Sequence, residues 1–182
     1  HMLLTGGLAN SCLKSLGLKT GESLATLDSE TLIKVKDILR EYNKKIVLPF
    51  DAIVGKKYDE TFVVSKDINK IENDEIIGDI GPKTLKIYKK IIDESKTIFM
   101  NGTAGIYEEP KYSNGTLELL NIVTSSMAKT IAGGGDCIGA IDKFNMTDKF
   151  TYISTGGGAT LEYIINENLP AINAIADKEE VL

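Results

Sequence analysis

The sequence predicts an α/β protein: a three-layer, Rossmann-like parallel sheet flanked by helices. Three observations carry that expectation. Short β-rich apolar runs alternate with longer amphipathic patterns of helical period, the grammar of βαβ units. The runs lack the strict in-out alternation of half-exposed strands, as expected for strands covered on both faces. Glycine closes each run, where a strand must turn sharply into the next element.

The runs, in order, are Leu3–Gly7 (LLTGG), Lys45–Gly55 (KIVLPFDAIVG), Thr97–Gly102 (TIFMNG), Lys129–Gly135 (KTIAGGG) and Phe150–Gly158 (FTYISTGGG). Between them lie three clear helical stretches. Residues 28–45 open on Asp28–Ser29, either a good N-cap, and set Leu32, Val35, Leu39 and Tyr42 on one stripe. Residues 81–96 place Pro82 at the start and Leu85, Tyr88 and Ile92 on one side. Residues 114–128 align Leu117, Leu120, Val123 and Met127. The stretch from Lys56 to Ile80 breaks the rhythm and reads as a charged β excursion.

Composition narrows the class. With 182 residues, 42% hydrophobic and 26% charged, the chain suits one ordinary soluble globular domain, 3–182, able to bury roughly 70% of its unfolded surface. His1 precedes the first methionine and reads, with Met2, as a cloning remnant, so the chain is expected to be an excised piece of a longer protein. A net charge of −5 argues against nucleic acid as a partner, since phosphate backbones demand a basic face. It does not exclude a nucleotide, because backbone amides hold phosphate without net positive charge. The sole arginine, Arg40, leaves almost no means of fork-like phosphate recognition by side chains. Cys12 and Cys137 are far apart, without metal-site spacing, and point to a reducing, cytoplasmic setting. No apolar run approaches a membrane span, so no membrane partner is expected.

In a parallel sheet the strand-to-helix turns share the carboxyl edge, where ligands bind. Glycine concentrates there, at Gly6–Gly7, Gly102, Gly133–Gly135 and Gly156–Gly158. A single pair such as Gly6–Gly7 is most simply a tight turn, but two separate triplets are harder to dismiss. Helix N-termini at such turns each carry about half a positive charge, which makes the edge an anion site. Neither GxxxxGK[ST] nor an early GxGxxG is present, so this is no P-loop and a dinucleotide site is weakly supported. Asp136, directly after the first triplet, reads equally as an N-cap or as a carboxylate aimed at Mg²⁺ carried by a nucleotide. Asn101–Gly102 reads as a turn and Glu108 as a solvated loop acid. With no internal histidine, Ser/His/Asp and Cys/His catalysis are excluded.

Several of these stretches together resemble the C-terminal, nucleotide-binding domain of the phosphoglycerate kinase family. GLANSCLKSLG, DIGPKT, NGTAGIYEEP, GGGD and STGGGA occur in that family's order and spacing, and the resemblance continues through LPAINAIADK. It implies phosphoryl transfer between 1,3-bisphosphoglycerate and ADP, giving ATP and 3-phosphoglycerate in glycolysis. It implies Gly6 and Gly7 at the adenine and Gly81 in the nucleotide site. Asn101 would lie beside the phosphates and Glu108 on the ribose hydroxyls. Gly134, Gly135, Asp136 and Cys137 would sit at the phosphates, with Asp136 on Mg²⁺. Gly156, Gly157 and Gly158 would stabilise the phosphoryl group in flight.

The sequence departs from the family pattern at Thr103, Tyr107 and Cys137, where proline, phenylalanine and threonine are usual. The resemblance also implies absences: the N-terminal domain that binds 3-phosphoglycerate, and the domain's own first strand with its phosphate-contacting lysine. Six parallel strands are implied and five are counted, with the missing one near the sheet centre. The full-length family member is expected to be a monomer, and this chain alone inactive and prone to self-association. A noncatalytic nucleotide- or sugar-phosphate-binding module of similar fold stands as the alternative, and an incomplete domain that binds nothing as a third reading.

Overall fold

The computed structural model describes residues 1–25, 28–57 and 59–176. The first strand, β1 (Met2–Leu3), leads into α1 (Gly6–Ser15), and α2 (Ser29–Glu41) returns the chain to β2 (Ile46–Val47), which pairs parallel with β1. Asp28 caps α2: its carboxylate accepts the Thr31 N–H at 2.9 Å and the Thr31 hydroxyl at 3.0 Å.

The run Lys45–Gly55 is not one strand. It stops at Val47, passes Pro49, and restarts as β3 (Asp51–Lys56) in a different sheet. Proline has no N–H to give to a ladder, so the chain changes partners there. The charged excursion forms two strands, β4 (Asp59–Asp67) and β5 (Glu75–Ile80), antiparallel on either side of β3. Its charges pair across the sheet, Lys56 with Asp74 at 2.7 Å and Lys66 with the buried Glu75 at 2.5 Å.

The helix α3 (Pro82–Asp93) begins at Pro82, as the sequence suggests, and is followed by β6 (Thr97–Asn101), α4 (Asn114–Thr124), β7 (Lys129–Gly133), α5 (Gly135–Lys143), β8 (Tyr152–Ser154), α6 (Gly158–Asn166) and α7 (Pro170–Ala176). Strands β6, β7 and β8 form a parallel sheet. The stripe expected to reach Met127 ends earlier: α4 stops at Thr124 and Met127 is fully exposed. The Thr124 hydroxyl donates to the Leu120 carbonyl at 2.8 Å and that of Ser126 to the Val123 carbonyl at 2.7 Å. Such local bonds offer the backbone an alternative to another helical turn.

The main core lies on one face of β6–β7. There α3 brings Tyr88 and Ile92, α4 brings Leu119, Leu120 and Val123, and α5 brings Cys137, Ala140 and Ile141, against Met100 and Ala132 of the strands. The other face carries Phe99, Ile131 and Tyr152 in one cross-strand row. Phe99 and Tyr152 remain exposed. The five parallel strands fall into two groups, β1–β2 and β6–β7–β8, with no ladder joining them among the described residues. What links them is α3: the buried Tyr88 hydroxyl donates toward the carbonyls of Leu4 (2.6 Å) and Val47 (3.1 Å), from inside the core that β6 and β7 share. Burial pushes this phenol well above its ordinary range.

Candidate functional site

Parallel registry sets the site. Asn101, Gly133 and Ser154 are cross-strand neighbours at the ends of β6, β7 and β8, so the three turns after them lie side by side. Gly102 turns at φ +92° and Gly134 at φ +89°, a region that favours glycine. A Cβ on Gly134 would lie 3.0 Å from the Asn101 Oδ1, so the triplet turn is packed directly against the asparagine.

Helix α5 starts at Gly135, with Asp136 exposed in its first turn. Its first hydrogen bond runs from the Ile138 N–H to the Gly134 carbonyl at 3.0 Å, so the amides ahead of it have no partner within the helix. A Cβ on Gly135 would meet nothing within 4 Å. Helix α6 starts at Gly158 after Gly157 (φ +53°), and both glycines face open space, but the Ala159 and Thr160 N–H groups already donate to the Gly156 (3.1 Å) and Gly157 (3.2 Å) carbonyls. Gly156 is tighter: its N–H donates to the Ser154 hydroxyl at 3.3 Å, and that hydroxyl meets Thr160 Oγ1 at 2.6 Å. Asn101 and the starts of α5 and α6 thus follow one another along the edge in strand order, with Asp136 in the first turn of α5, an arrangement suited to a polyanion.

The loop after β6 completes this edge. Lys143, in the last turn of α5, donates to the carbonyls of Tyr107 (2.7 Å) and Glu108 (3.2 Å) and lies over the Tyr107 ring. Burial, then the charges of Glu108 and Asp136, raise the Tyr107 phenol pKa, which places both carboxylates within its electrostatic reach. Glu108 itself is exposed. On the other flank, the Thr5 hydroxyl donates to the Thr103 carbonyl at 3.0 Å, and a Cβ on Gly6 (φ +58°) would lie 3.2 Å from that same oxygen. A Cβ on Gly7 would approach Leu24 to 3.3 Å. Leu24, 72% exposed and anchored by Asn10 Nδ2 donating to its carbonyl at 3.2 Å, joins the site candidates although no sequence signal singles it out. A leucine in an irregular segment has no pattern to mark it.

Two expected residues have different surroundings. Gly81 precedes α3, and a Cβ there would fall 2.2 Å from Asp51 Cγ. The space lets Asp51, from β3, accept the N–H groups of Thr84 (2.8 Å) and Lys83 (2.9 Å) and cap a helix that has no capping side chain of its own. Cys137 turns its thiol wholly into the core, 3.8 Å from the Met100 carbonyl, and burial pushes it up to about 11. It reaches the edge only through its backbone.

The chain is thus an α/β domain with a parallel sheet flanked by helices, whose glycine turns and helix starts gather at one strand edge, the place where ligands bind in such folds. The comparisons narrow the class. The family model for phosphoglycerate kinase matches residues 1–167. The phosphoglycerate kinases of Dictyoglomus turgidum and Wigglesworthia glossinidia brevipalpis are 39% and 41% identical, over 97% and 96% of this chain and 45% and 44% of their own lengths. The phosphoglycerate kinase structure from Coxiella burnetii superposes with a TM-score of 0.85 at 38% identity, covering 94% of this chain and 45% of that one. That from Pyrococcus horikoshii gives 0.80 at 28% identity, over 99% and 46%. The chain belongs to the phosphoglycerate kinase family. It spans a little under half the length of the relatives it matches.

Proposed function

We propose that this chain is the nucleotide-binding part of a cytoplasmic phosphoglycerate kinase, which moves a phosphoryl group between 1,3-bisphosphoglycerate and ADP to give ATP and 3-phosphoglycerate. The observation that carries this is the row of turns at the ends of β6, β7 and β8, glycine-bearing in each case, two of which lead into the starts of α5 and α6. ADP or ATP would lie along that edge. Gly6, Gly7 and Leu24 would flank the adenine, Glu108 would meet the ribose, and Asn101 with the amides of Gly134 to Cys137 would hold the phosphates. Gly81 would lie in the nucleotide site, where its missing Cβ also leaves room for the Asp51 cap of α3.

Asp136 offers one exposed carboxylate, and among the described residues no group of three or more candidate ligands gathers. A lone carboxylate fits Mg²⁺ that arrives on nucleotide phosphates and keeps most of its waters. Mg²⁺ there would supply charge neutralisation between phosphate oxygens. The chain's own part is positioning: Asn101 and the α5 amides fix the phosphates, and the start of α6 at Gly156 to Gly158 presents its field to the phosphoryl group as charge redistributes. In this reading 3-phosphoglycerate binds to the remainder of the full-length enzyme, and this chain alone transfers no phosphoryl group. Copies of the chain associate through the unladdered edges of β1 and β6 and the apolar row of Phe99, Ile131 and Tyr152, whereas the full-length enzyme is a monomer.

Calorimetric titration with Mg·ADP tests the reading. Binding in the micromolar-to-millimolar range, weakened about tenfold or more by Asp136→Ala, is the expected result. Tighter binding of NAD, or no binding of either nucleotide, would overturn it.

A further inference from the structure

Asp79, at the end of β5, is a carboxylate 1% exposed that the proposed chemistry does not use. Its Oδ2 accepts the Gly115 N–H at 2.5 Å, in the first turn of α4, and its Oδ1 accepts the Ile80 N–H at 2.9 Å. Two glycines make room for it: a Cβ on Gly115 would lie 2.3 Å from Oδ1, and one on Gly105 2.7 Å from both Oδ1 and Cα. The next residue of α4, Thr116, fully buried, receives the N–H groups of Ala104 (3.1 Å) and Gly105 (3.3 Å) on its hydroxyl. The Ile106 N–H closes the arrangement on the Gly78 carbonyl at 2.8 Å. The loop that begins at Asn101 and ends at Glu108 is therefore held at its middle, from beneath, by β5 and the start of α4.

We propose that Asp79 is a positioning residue for the candidate site: by tying the start of α4 to β5 it sets the Asn101–Glu108 loop against the nucleotide edge. Burying a carboxyl group is costly unless its oxygens are hydrogen-bonded, and both oxygens of Asp79 are spent on backbone N–H groups, one of them in the first turn of α4. The assignment rests on the nucleotide-binding reading only for its effect on affinity; the effect on the loop stands without it.

The carboxyl is pushed up to about 7 by burial, against the pull of the Gly115 and Ile80 amides. Its folded pKa is thus raised above the ordinary carboxyl value of 3.8. Where opening the loop solvates the group, the protection that Asp79 adds is fullest below about pH 4 and is lost as pH rises through about 7. Other ionisable groups on the surrounding elements are Asp51 of β3, which lines the same small void, Tyr112, which packs over Gly78, the buried Cys12 and exposed Lys14 of α1, and the exposed Glu118 of α4.

Amide hydrogen exchange of the ligand-free chain between pH 4 and pH 8, with Mg·ADP titration alongside, tests the proposal. Asp79→Ala, which leaves two buried amides without an acceptor, is expected to lower protection of residues 102–108 about tenfold or more and to weaken Mg·ADP in parallel. Asp79→Asn keeps the shape but cannot ionise and has one acceptor oxygen where two are used, so it is expected to restore part of the protection and to flatten the pH dependence. If Asp79→Ala fails to fold, the wild-type and Asp79→Asn pH series decide alone. Unchanged loop protection in Asp79→Ala, an equal loss across β7, or the same pH profile in wild type and Asp79→Asn would each overturn the assignment. If the wild type bound no Mg·ADP, the nucleotide reading would fail while the exchange data still judged Asp79.

Discussion

The turns that start α5 and α6 are written in nearly the same letters, Gly133–Asp136 and Gly156–Ala159, yet they rest on different foundations. Helix α5 buries Cys137, Ala140 and Ile141 in the main core, and its turn leans on Asn101. Helix α6 buries nothing: Tyr163, Ile164 and Ile165 are all more than half exposed, and Gly157 and Gly158 meet open space. Both turn the positive end of a helix to the edge, although in α6 the Ala159 and Thr160 amides are already spent on the Gly156 and Gly157 carbonyls. Only α5 is anchored in the core behind its turn. The chemistry of a glycine turn is local, but its preorganisation comes from the packing of the helix behind it.

The largest expected difference is in the helices. Ile141→Ala opens a cavity in the main core and is expected to cost about 2–5 kcal/mol in urea unfolding. Ile165→Ala, 75% exposed, is expected to cost less than about 0.5 kcal/mol. Equal losses would mean that α6 is packed as firmly as α5, and the contrast would collapse.

A smaller effect separates the glycines. Gly134→Ala forces an L-residue to φ +89° beside Asn101 and is expected to cost about 1–3 kcal/mol of stability, along with nucleotide affinity. Gly158→Ala adds a methyl in open space at a helix start, so thermal unfolding should move by no more than about 0.5 kcal/mol while Mg·ADP binding still weakens. A stability loss at Gly158 matching that at Gly134 would show that the α6 turn is equally constrained.

The smallest effect concerns association. Sedimentation velocity should show a weak, concentration-dependent dimer, reduced by Phe99→Asp on the exposed sheet face. A single monomeric species at every concentration would remove the self-association proposal, and with it the view that the two parallel strand groups leave usable edges.

Much of this was legible in local signals. Asp28 before an amphipathic run, Pro82 at a helix start and glycine after β6, β7 and β8 are decided within a few residues of chain, and the structure places a cap, an N1 proline and tight turns at those positions, whereas Gly55, expected to close a run, lies within β3 under the Tyr112 ring. The apolar period failed where hydroxyls intervened, at Thr124 and Ser126, because side-chain bonds to backbone carbonyls compete with helix propagation and carry no periodic mark. The run Lys45–Gly55 looked like one strand because Pro49 interrupts partners, not hydrophobicity.

The α/β rhythm, the glycine-rich edge and the candidate phosphate turn at Gly134 to Asp136 are readable from the chain alone, since each depends on backbone freedom and spacing. Folding in three dimensions was needed to set the five parallel strands in two groups, to turn Cys137 into the core, and to make Asp51 and Asp79 buried helix caps. The physical reason is range. A turn is settled by its own dihedral angles, but whether a carboxylate is solvated or spent on the amides of a helix 33 or 36 residues away is settled only when distant elements meet.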